Sequence, residues 1–133
     1  MHRRIRVFIA ALSVVIVMAM SVSPVSAESY TSTISNFWNT LTGQCRTYHG
    51  TSIHIQLDTT ANGSGTYGIS VYKCVNGAKG PQVGGEGSCP YPGFCGYGWS
   101  INLGGSQYLF YFRKTGGDYH DIINSNNVQM WST

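Results

Sequence analysis

The segment "SIHIQLD", residues 52–58, alternates strictly between polar and apolar side chains. A period of two places its apolar side chains on one face of a β-strand. A second alternating segment, "TYGISVYKC" at residues 66–74, follows the dipeptide Asn62-Gly63, which tolerates the left-handed backbone of a tight turn. The two segments are therefore predicted to pair as a β-hairpin, with Leu57 opposite Ile69 so that apolar side chains share a face.

The same pattern recurs further along the chain. The segments "YGWSINL" (97–103) and "SQYLFYFRK" (106–114) flank Gly104-Gly105 and predict a second hairpin. Two hairpins with one apolar face each can bury those faces against one another. With further strands within 31–41 and 128–131, we predict an all-β fold, a small antiparallel β-sandwich of about six to eight strands. A small β-barrel is the alternative.

The glycine-rich stretch "NGAKGPQVGGEGS", residues 76–88, separates the two predicted hairpins. It has neither a regular period nor a run of strand-forming side chains. We interpret it as a long surface connection.

The first 27 residues are typical of a signal peptide. Three arginines lie among the first six residues, and an apolar run spans residues 7–22. Small residues then lead up to Ala27, after which a signal peptidase could cut. The run has 16 residues, fewer than the roughly 20 that a spanning helix needs, so no membrane insertion is predicted. We expect residues 1–27 to be removed after Ala27, leaving one secreted, extracellular domain at residues 28–133.

Removal of the leader changes the charge of the protein. The full chain has a formal net charge of +3, but its first six residues include three arginines. The remaining chain has five Lys and Arg against five Asp and Glu. Nucleic-acid binding and adsorption to an anionic membrane both need clustered cations, so neither kind of partner is predicted.

Four cysteines lie in the predicted mature chain: Cys45, Cys74, Cys89 and Cys95. An even number in a short exported domain is typical of disulfides. Their spacings of 29, 15 and 6 lack the C-x₂₋₄-C pairs of a zinc site. We therefore predict two disulfides, no metal and no cofactor.

The stretch "SCPYPGFCGYGWS", residues 88–100, suggests how the cysteines pair. Pro92-Gly93 suits the centre of a type II turn, which would bring Cys89 close to Cys95 and leave Cys45 to pair with Cys74. The two other connectivities remain possible. The stretch is then a stapled turn that leads into a strand.

This turn is also the predicted binding site. Tyr91 and Phe94 would stand on a rigid tip that loses little entropy on binding. The alternative is that one or both rings cap the core. Tyr72 and Tyr111, on outward strand faces, are the other predicted binding residues, whereas Trp99 falls on the core face.

No catalytic arrangement is evident in the predicted mature chain. His54 and Asp58 share a strand face, but four residues along a strand span about 13 Å. His120 lies between Asp118 and Asp121, which is typical of a solvated turn, and no serine lies in a nucleophile elbow. We predict that the protein is not an enzyme.

These observations favour a monomeric, secreted, non-enzymatic binding domain. Its partner would be an extracellular protein or a cell-envelope glycan. One alternative is an antimicrobial or bacteriocin-type effector. Another is a protease inhibitor that presents the 89–95 loop to its target.

Overall fold

The computed structural model describes residues 28–133, which form nine β-strands. The predicted signal peptide lies outside the described residues. The strands are β1 (Ser29–Phe37), β2 (Thr40–Thr42), β3 (Arg46–Thr47), β4 (Ser52–Ala61), β5 (Gly65–Val75), β6 (Ala78–Tyr91), β7 (Gly93–Ser100), β8 (Gln107–Gly116) and β9 (Ile123–Ser132).

The strands form two antiparallel sheets. One has four strands in the order β1-β9-β4-β7, and the other has five, in the order β2-β8-β5-β6 with β3 also beside β8. The inward side chains of both sheets make one apolar core. The predicted all-β sandwich is confirmed. Within the described residues, no helix is long and apolar enough to cross a bilayer.

The predicted hairpin between β4 and β5 is wrong. These strands belong to different sheets, because β4 pairs with β7 and β9 whereas β5 pairs with β6 and β8. The assigned faces are nevertheless correct, since Leu57 and Ile69 are both buried. Alternation predicts which face of a strand is buried. It does not predict whether two strands lie side by side in one sheet or face each other across the core.

The second predicted hairpin fails for a similar reason. Its turn is present, since the Ser106 N–H donates to the Leu103 carbonyl oxygen (3.1 Å) and both intervening glycines have positive φ. The strands then diverge, because β7 joins the four-stranded sheet and β8 joins the five-stranded one. The chain crosses between sheets at this turn instead of folding back within one sheet.

The glycine-rich stretch is a strand and not the predicted surface connection. Residues 78–91 form β6, the longest strand described, which pairs with β5. Asn76 and Gly77 join the two strands with φ of 53° and 76°, as a type I′ hairpin turn requires. This second Asn-Gly dipeptide, and not Asn62-Gly63, marks the local hairpin.

The glycines of β6 make room for aromatic rings from β7. A side chain at Gly87 would collide with the Tyr97 ring, and one at Gly84 would meet Trp99. The indole of Trp99 donates to the Gly85 carbonyl oxygen (2.7 Å). Trp99 is thus half-buried at the side of the sandwich, on the inward face that the sequence predicts. The rings of Tyr97 and Trp99 therefore cover the core at the side of the sandwich where β6 and β7 face each other.

Two disulfides are present, Cys45–Cys74 and Cys89–Cys95, which is the pairing that the turn geometry favours. The second bond joins β6 to β7 and therefore links the two sheets. Disulfides of this kind persist in oxidising compartments outside the cytosol.

Candidate binding surface

Four chain connections meet at one end of the sandwich. Phe37, at the end of β1, and Ala61, at the end of β4, both lie opposite Ile123 at the start of β9. In the other sheet, the last residue of β6, Tyr91, lies opposite the first residue of β5. We call this region the aromatic end and define it as residues 38–39, 62–64, 92–94 and 117–122. The opposite end comprises residues 48–51, 76–77 and 101–106.

Exposed hydrophobic side chains concentrate at the aromatic end. Among residues 28–133, seven large hydrophobic side chains are exposed, and four of them lie there. Three are aromatic: Trp38 is 58% exposed, Phe94 63% and Tyr119 73%. Ile122 is the fourth. Isolated exposed hydrophobic residues are ordinary, but their concentration at one end makes that end the candidate binding surface.

The cluster extends across the width of the sandwich. Trp38 follows β1 and Phe94 belongs to β7, the two outer strands of the four-stranded sheet. Three strand spacings of about 4.8 Å separate these strands by about 14 Å. Trp38 and Tyr119 also line one open groove of about 260 Å³, together with Asn39 and Lys114. The surface therefore combines a groove with a separate ring at Phe94.

Tyr91 anchors this end from inside. It is 1% exposed, and its hydroxyl lies 3.0 Å from the Gly116 carbonyl oxygen and 2.9 Å from a carboxylate oxygen of Asp121. Burial, followed by the hydrogen bond to Asp121, raises the pKa of Tyr91 to about 12. The predicted exposure of Tyr91 is wrong, and the alternative that its ring caps the core is correct. The ring is buried because it fills the space between β5 and the β8–β9 connection.

Phe94 differs from Tyr91 although both flank the same turn. Pro92 alone separates β6 from β7, after a cis peptide bond, and Gly93 has the positive φ expected of it. Phe94 pairs with Asp58, whose side chain faces solvent on β4. Cys89 and Cys95 are both buried. The disulfide therefore fixes the base of the turn in the core, while the Phe94 ring remains exposed.

The β8–β9 connection is held by polar contacts. The Lys114 ammonium donates to the carbonyl oxygens of Asp118 (2.5 Å) and Asp121 (2.7 Å). From the neighbouring loop, the side-chain oxygen of Asn62 accepts the Ile122 N–H (2.7 Å). These hydrogen bonds fix the segment that carries Tyr119 in the unbound protein.

The other two predicted binding residues lie elsewhere. Tyr72 and Tyr111 are neighbours on the outer face of the five-stranded sheet, with ring centroids 5.6 Å apart. The Lys79 ammonium lies over both rings, at 4.7 and 4.1 Å from their centroids. The structure therefore brings this pair together but separates it from Phe94, and the Lys79 ammonium covers both rings.

Two aromatic residues of the surface were missed from the sequence. Trp38 falls within a segment predicted as strand, but it lies between β1 and β2. Tyr119 belongs to "GGDYHD", which was interpreted as a solvated turn. A large ring within a polar, glycine-containing turn has no strand face to fill, and this signal could have identified Tyr119.

One histidine of this surface, His120, pairs with a carboxylate. His120 hydrogen bonds with Asp118 (3.0 Å), and both side chains are well exposed. The backbone and side-chain hydrogen bonds from His120 lower the pKa of Asp118. In residues 28–133, no group of three or more His, Cys, Asp or Glu side chains is arranged to hold a metal ion.

No protein-family model matches the sequence, and no curated protein does. Among solved structures, PliG of Aeromonas hydrophila, a periplasmic inhibitor of g-type lysozyme, is 12% identical, with a TM-score of 0.40 over 80% of this chain and 86% of that one. A virus-like particle protein of the prawn Macrobrachium rosenbergii extra small virus is 13% identical, with a TM-score of 0.22 over 84% of this chain and 85% of that one. Similarity at this level carries no functional argument.

Proposed function

We propose that this protein is exported, is not an enzyme, and binds an extracellular protein through its aromatic end. The observation that carries this proposal is the exposure of three aromatic rings, Trp38, Phe94 and Tyr119, at one end of the sandwich. The leader pattern with cleavage after Ala27, and the two disulfides, support export.

A protein partner fits the shape of the surface better than a sugar does. Trp and Tyr are the most frequent energetic anchors of protein interfaces, and fixed loops reduce the entropy lost on association. A single sugar ring could occupy the groove between Trp38 and Tyr119. It would not touch Phe94, which lies on the opposite edge strand of the four-stranded sheet. Dependence on Phe94 therefore distinguishes a protein partner from a cell-envelope glycan.

The geometry does not favour a protease inhibitor that presents residues 89–95. Such an inhibitor needs an extended, accessible segment, but Cys89, Tyr91 and Cys95 are buried. An antimicrobial effector could use the same aromatic end to find its target. Growth inhibition of competing bacteria by the pure protein would distinguish this role from simple binding.

The test compares capture by matched variants. The oxidised, exported protein is immobilised and exposed to culture supernatant and to solubilised envelope. In parallel, the same experiment uses Trp38→Ala, Phe94→Ala and Tyr119→Ala. Val75→Ala is the control, because Val75 is 51% exposed but adjoins the opposite end.

For a partner captured by the wild type, each aromatic variant should lose about 2 kcal/mol of binding, roughly a thirtyfold loss of affinity. Stability should change by no more than about 0.5 kcal/mol, because all three rings face solvent. Val75→Ala should bind as the wild type does. Unchanged affinity in all three aromatic variants would refute the proposal, and loss in Trp38→Ala and Tyr119→Ala with Phe94→Ala unaffected would favour a glycan.

A further inference from the structure

A second cavity opens on one side of the sandwich, between β1 and β2. It has a volume of about 180 Å³ and is lined by core side chains from both sheets, among them Phe110, Phe112, Val128 and Met130. These four side chains are at most 7% exposed. The cleft is therefore lined by residues of the hydrophobic core. The cleft is separate from the groove between Trp38 and Tyr119.

Irregular strands keep this side open. The pairing of β1 with β9 shifts register on both sides of Ile34, which lines the cleft. Opposite it, β2 has only three residues, and after Gly43, whose N–H donates to the Phe110 carbonyl oxygen (2.8 Å), the pairing with β8 is interrupted until β3. Bulges of this kind are over-represented beside functional sites. The other side of the sandwich is closed by Tyr97 and Trp99, and the cleft is lined by no comparable ring at its rim.

The rim of the cleft is polar and carries one cation. Ser32, Thr33, Thr42 and Gln44 line it together with Arg46. The Arg46 guanidinium lies 4.8 Å from the centroid of the Tyr30 ring and takes part in none of the ion pairs found among residues 28–133. Arginine guanidinium groups match carboxylates in geometry as well as in charge.

We infer that this cleft binds a medium-chain carboxylate, with the hydrocarbon chain against the core side chains and the carboxylate at Arg46. An apolar pocket with one well-placed charged group is the usual form of a small-molecule site. At about 30 Å³ for each water-sized group, the volume accommodates roughly six such groups. This matches the hydrocarbon part of hexanoate or octanoate.

The inference is tested by calorimetric titration of the oxidised protein with butyrate, hexanoate, octanoate, decanoate and the neutral octanol. Affinity should rise about fourfold for each methylene while the cleft has room and level off near octanoate. Octanol should bind at least tenfold more weakly than octanoate. A flat dependence on chain length, or equal affinity for octanoate and octanol, would overturn the inference.

Two variants separate the cleft from general adsorption. Arg46→Gln should bind octanol as the wild type does but lose the preference for octanoate. Thr33→Trp, at an exposed rim position, should block both ligands without disturbing the core. Val75→Ala, which lies outside the lining of the cleft and outside the aromatic end, is the control and should bind octanoate normally. Retained octanoate preference in Arg46→Gln would refute the role of that side chain.

Discussion

The two ends of the sandwich use aromatic side chains in opposite ways. At the opposite end, Tyr48 and Tyr108 are buried, and the Tyr108 hydroxyl donates to a backbone carbonyl oxygen of the adjoining loop (3.0 Å). At the aromatic end, Trp38, Phe94 and Tyr119 are each more than half exposed. The loops of both ends are held by hydrogen bonds, for example from Tyr108 to Leu103 and from Ile122 to Asn62.

Buried rings stabilise both ends, and the difference between the ends lies in the rings that remain exposed. Tyr48 makes edge-to-face contacts with Tyr30 (5.3 Å) and Phe110 (6.4 Å), so the opposite end is packed by its rings. The aromatic end also contains buried rings, since Tyr67 lies near both Tyr91 (6.5 Å between centroids) and Phe37 (6.2 Å), and Lys114 adds polar contacts. Its exposed rings are the ones that we propose to bind a partner.

The largest expected effect breaks the packing of the opposite end. Tyr48→Ala should lower the free energy of unfolding by about 3–5 kcal/mol, as for other large buried rings. Tyr119→Ala, the matched change at the aromatic end, should change it by no more than about 0.5 kcal/mol. Urea unfolding followed by tryptophan fluorescence measures both. Comparable losses in the two variants would show that the exposed ring is structural and would remove the contrast between the ends.

A smaller effect is expected from the anchor of the aromatic end. Tyr91→Phe keeps the ring but removes the hydroxyl that contacts the buried carboxylate of Asp121. Loss of a partner for a buried polar group costs about 1–3 kcal/mol. Tyr97→Phe is the control, since the Tyr97 hydroxyl donates to an exposed carbonyl oxygen (3.0 Å). Equal losses of unfolding free energy would mean that Tyr91 anchors this end through its ring alone.

The opposite end also holds a carboxylate that responds to pH. Burial alone would raise the pKa of Glu28, but hydrogen bonds from the His49 side chain and N–H and from the Ser132 hydroxyl lower it to about 2. A carboxyl with a lowered pKa stabilises the fold above its ordinary value near 4.5, and this contribution disappears as the pH falls towards 2.

Glu28→Gln should therefore lower stability by about 0.5–1 kcal/mol at pH 6, as for a partly exposed pair. The difference from the wild type should vanish near pH 2, where the wild-type carboxyl becomes protonated. Ser132→Ala, which removes one donor, should raise the pKa of Glu28 in an NMR titration. A difference that persists unchanged at low pH would show that the charge of Glu28 is not involved.

The smallest effect concerns the covered rings on the outer face of the five-stranded sheet. Lys79→Gln removes the cation above Tyr72 and Tyr111 and should cost about 0.5 kcal/mol, typical of an exposed cation–π contact. Lys73→Gln, an exposed lysine on β5, is the control and should be neutral. If Lys79→Gln instead created a new binding surface for the captured partner, the aromatic end would no longer be the principal site.

The sequence predicted the faces of the strands better than their partners. Alternation in "SIHIQLD" correctly placed Ile53, Ile55 and Leu57 in the core, because burial on one face constrains every second residue. Pairing depends on which distant strand fills the space beside each edge. Gly84 and Gly87 illustrate this limit, since their role appears only when the rings of β7 lie against them.

The candidate site was predicted in part. The stapled turn and the exposure of Phe94 agree with the sequence, because two cysteines six residues apart restrict what lies between them. The burial of Tyr91 depends on Asp121, thirty residues further along the chain. The contribution of Trp38 and Tyr119 depends on which loops meet at one end, and local sequence does not determine that.

The crossing of the chain between the two sheets has a consequence for the order of folding. Among the nine strands of residues 28–133, only β5 and β6 pair across a two-residue turn, so this hairpin can form early. The first strand, β1, pairs with the last, β9, so the four-stranded sheet waits for the whole chain. Such non-local pairing slows folding, and β1 remains without its strand partner until residues 123–132 are available.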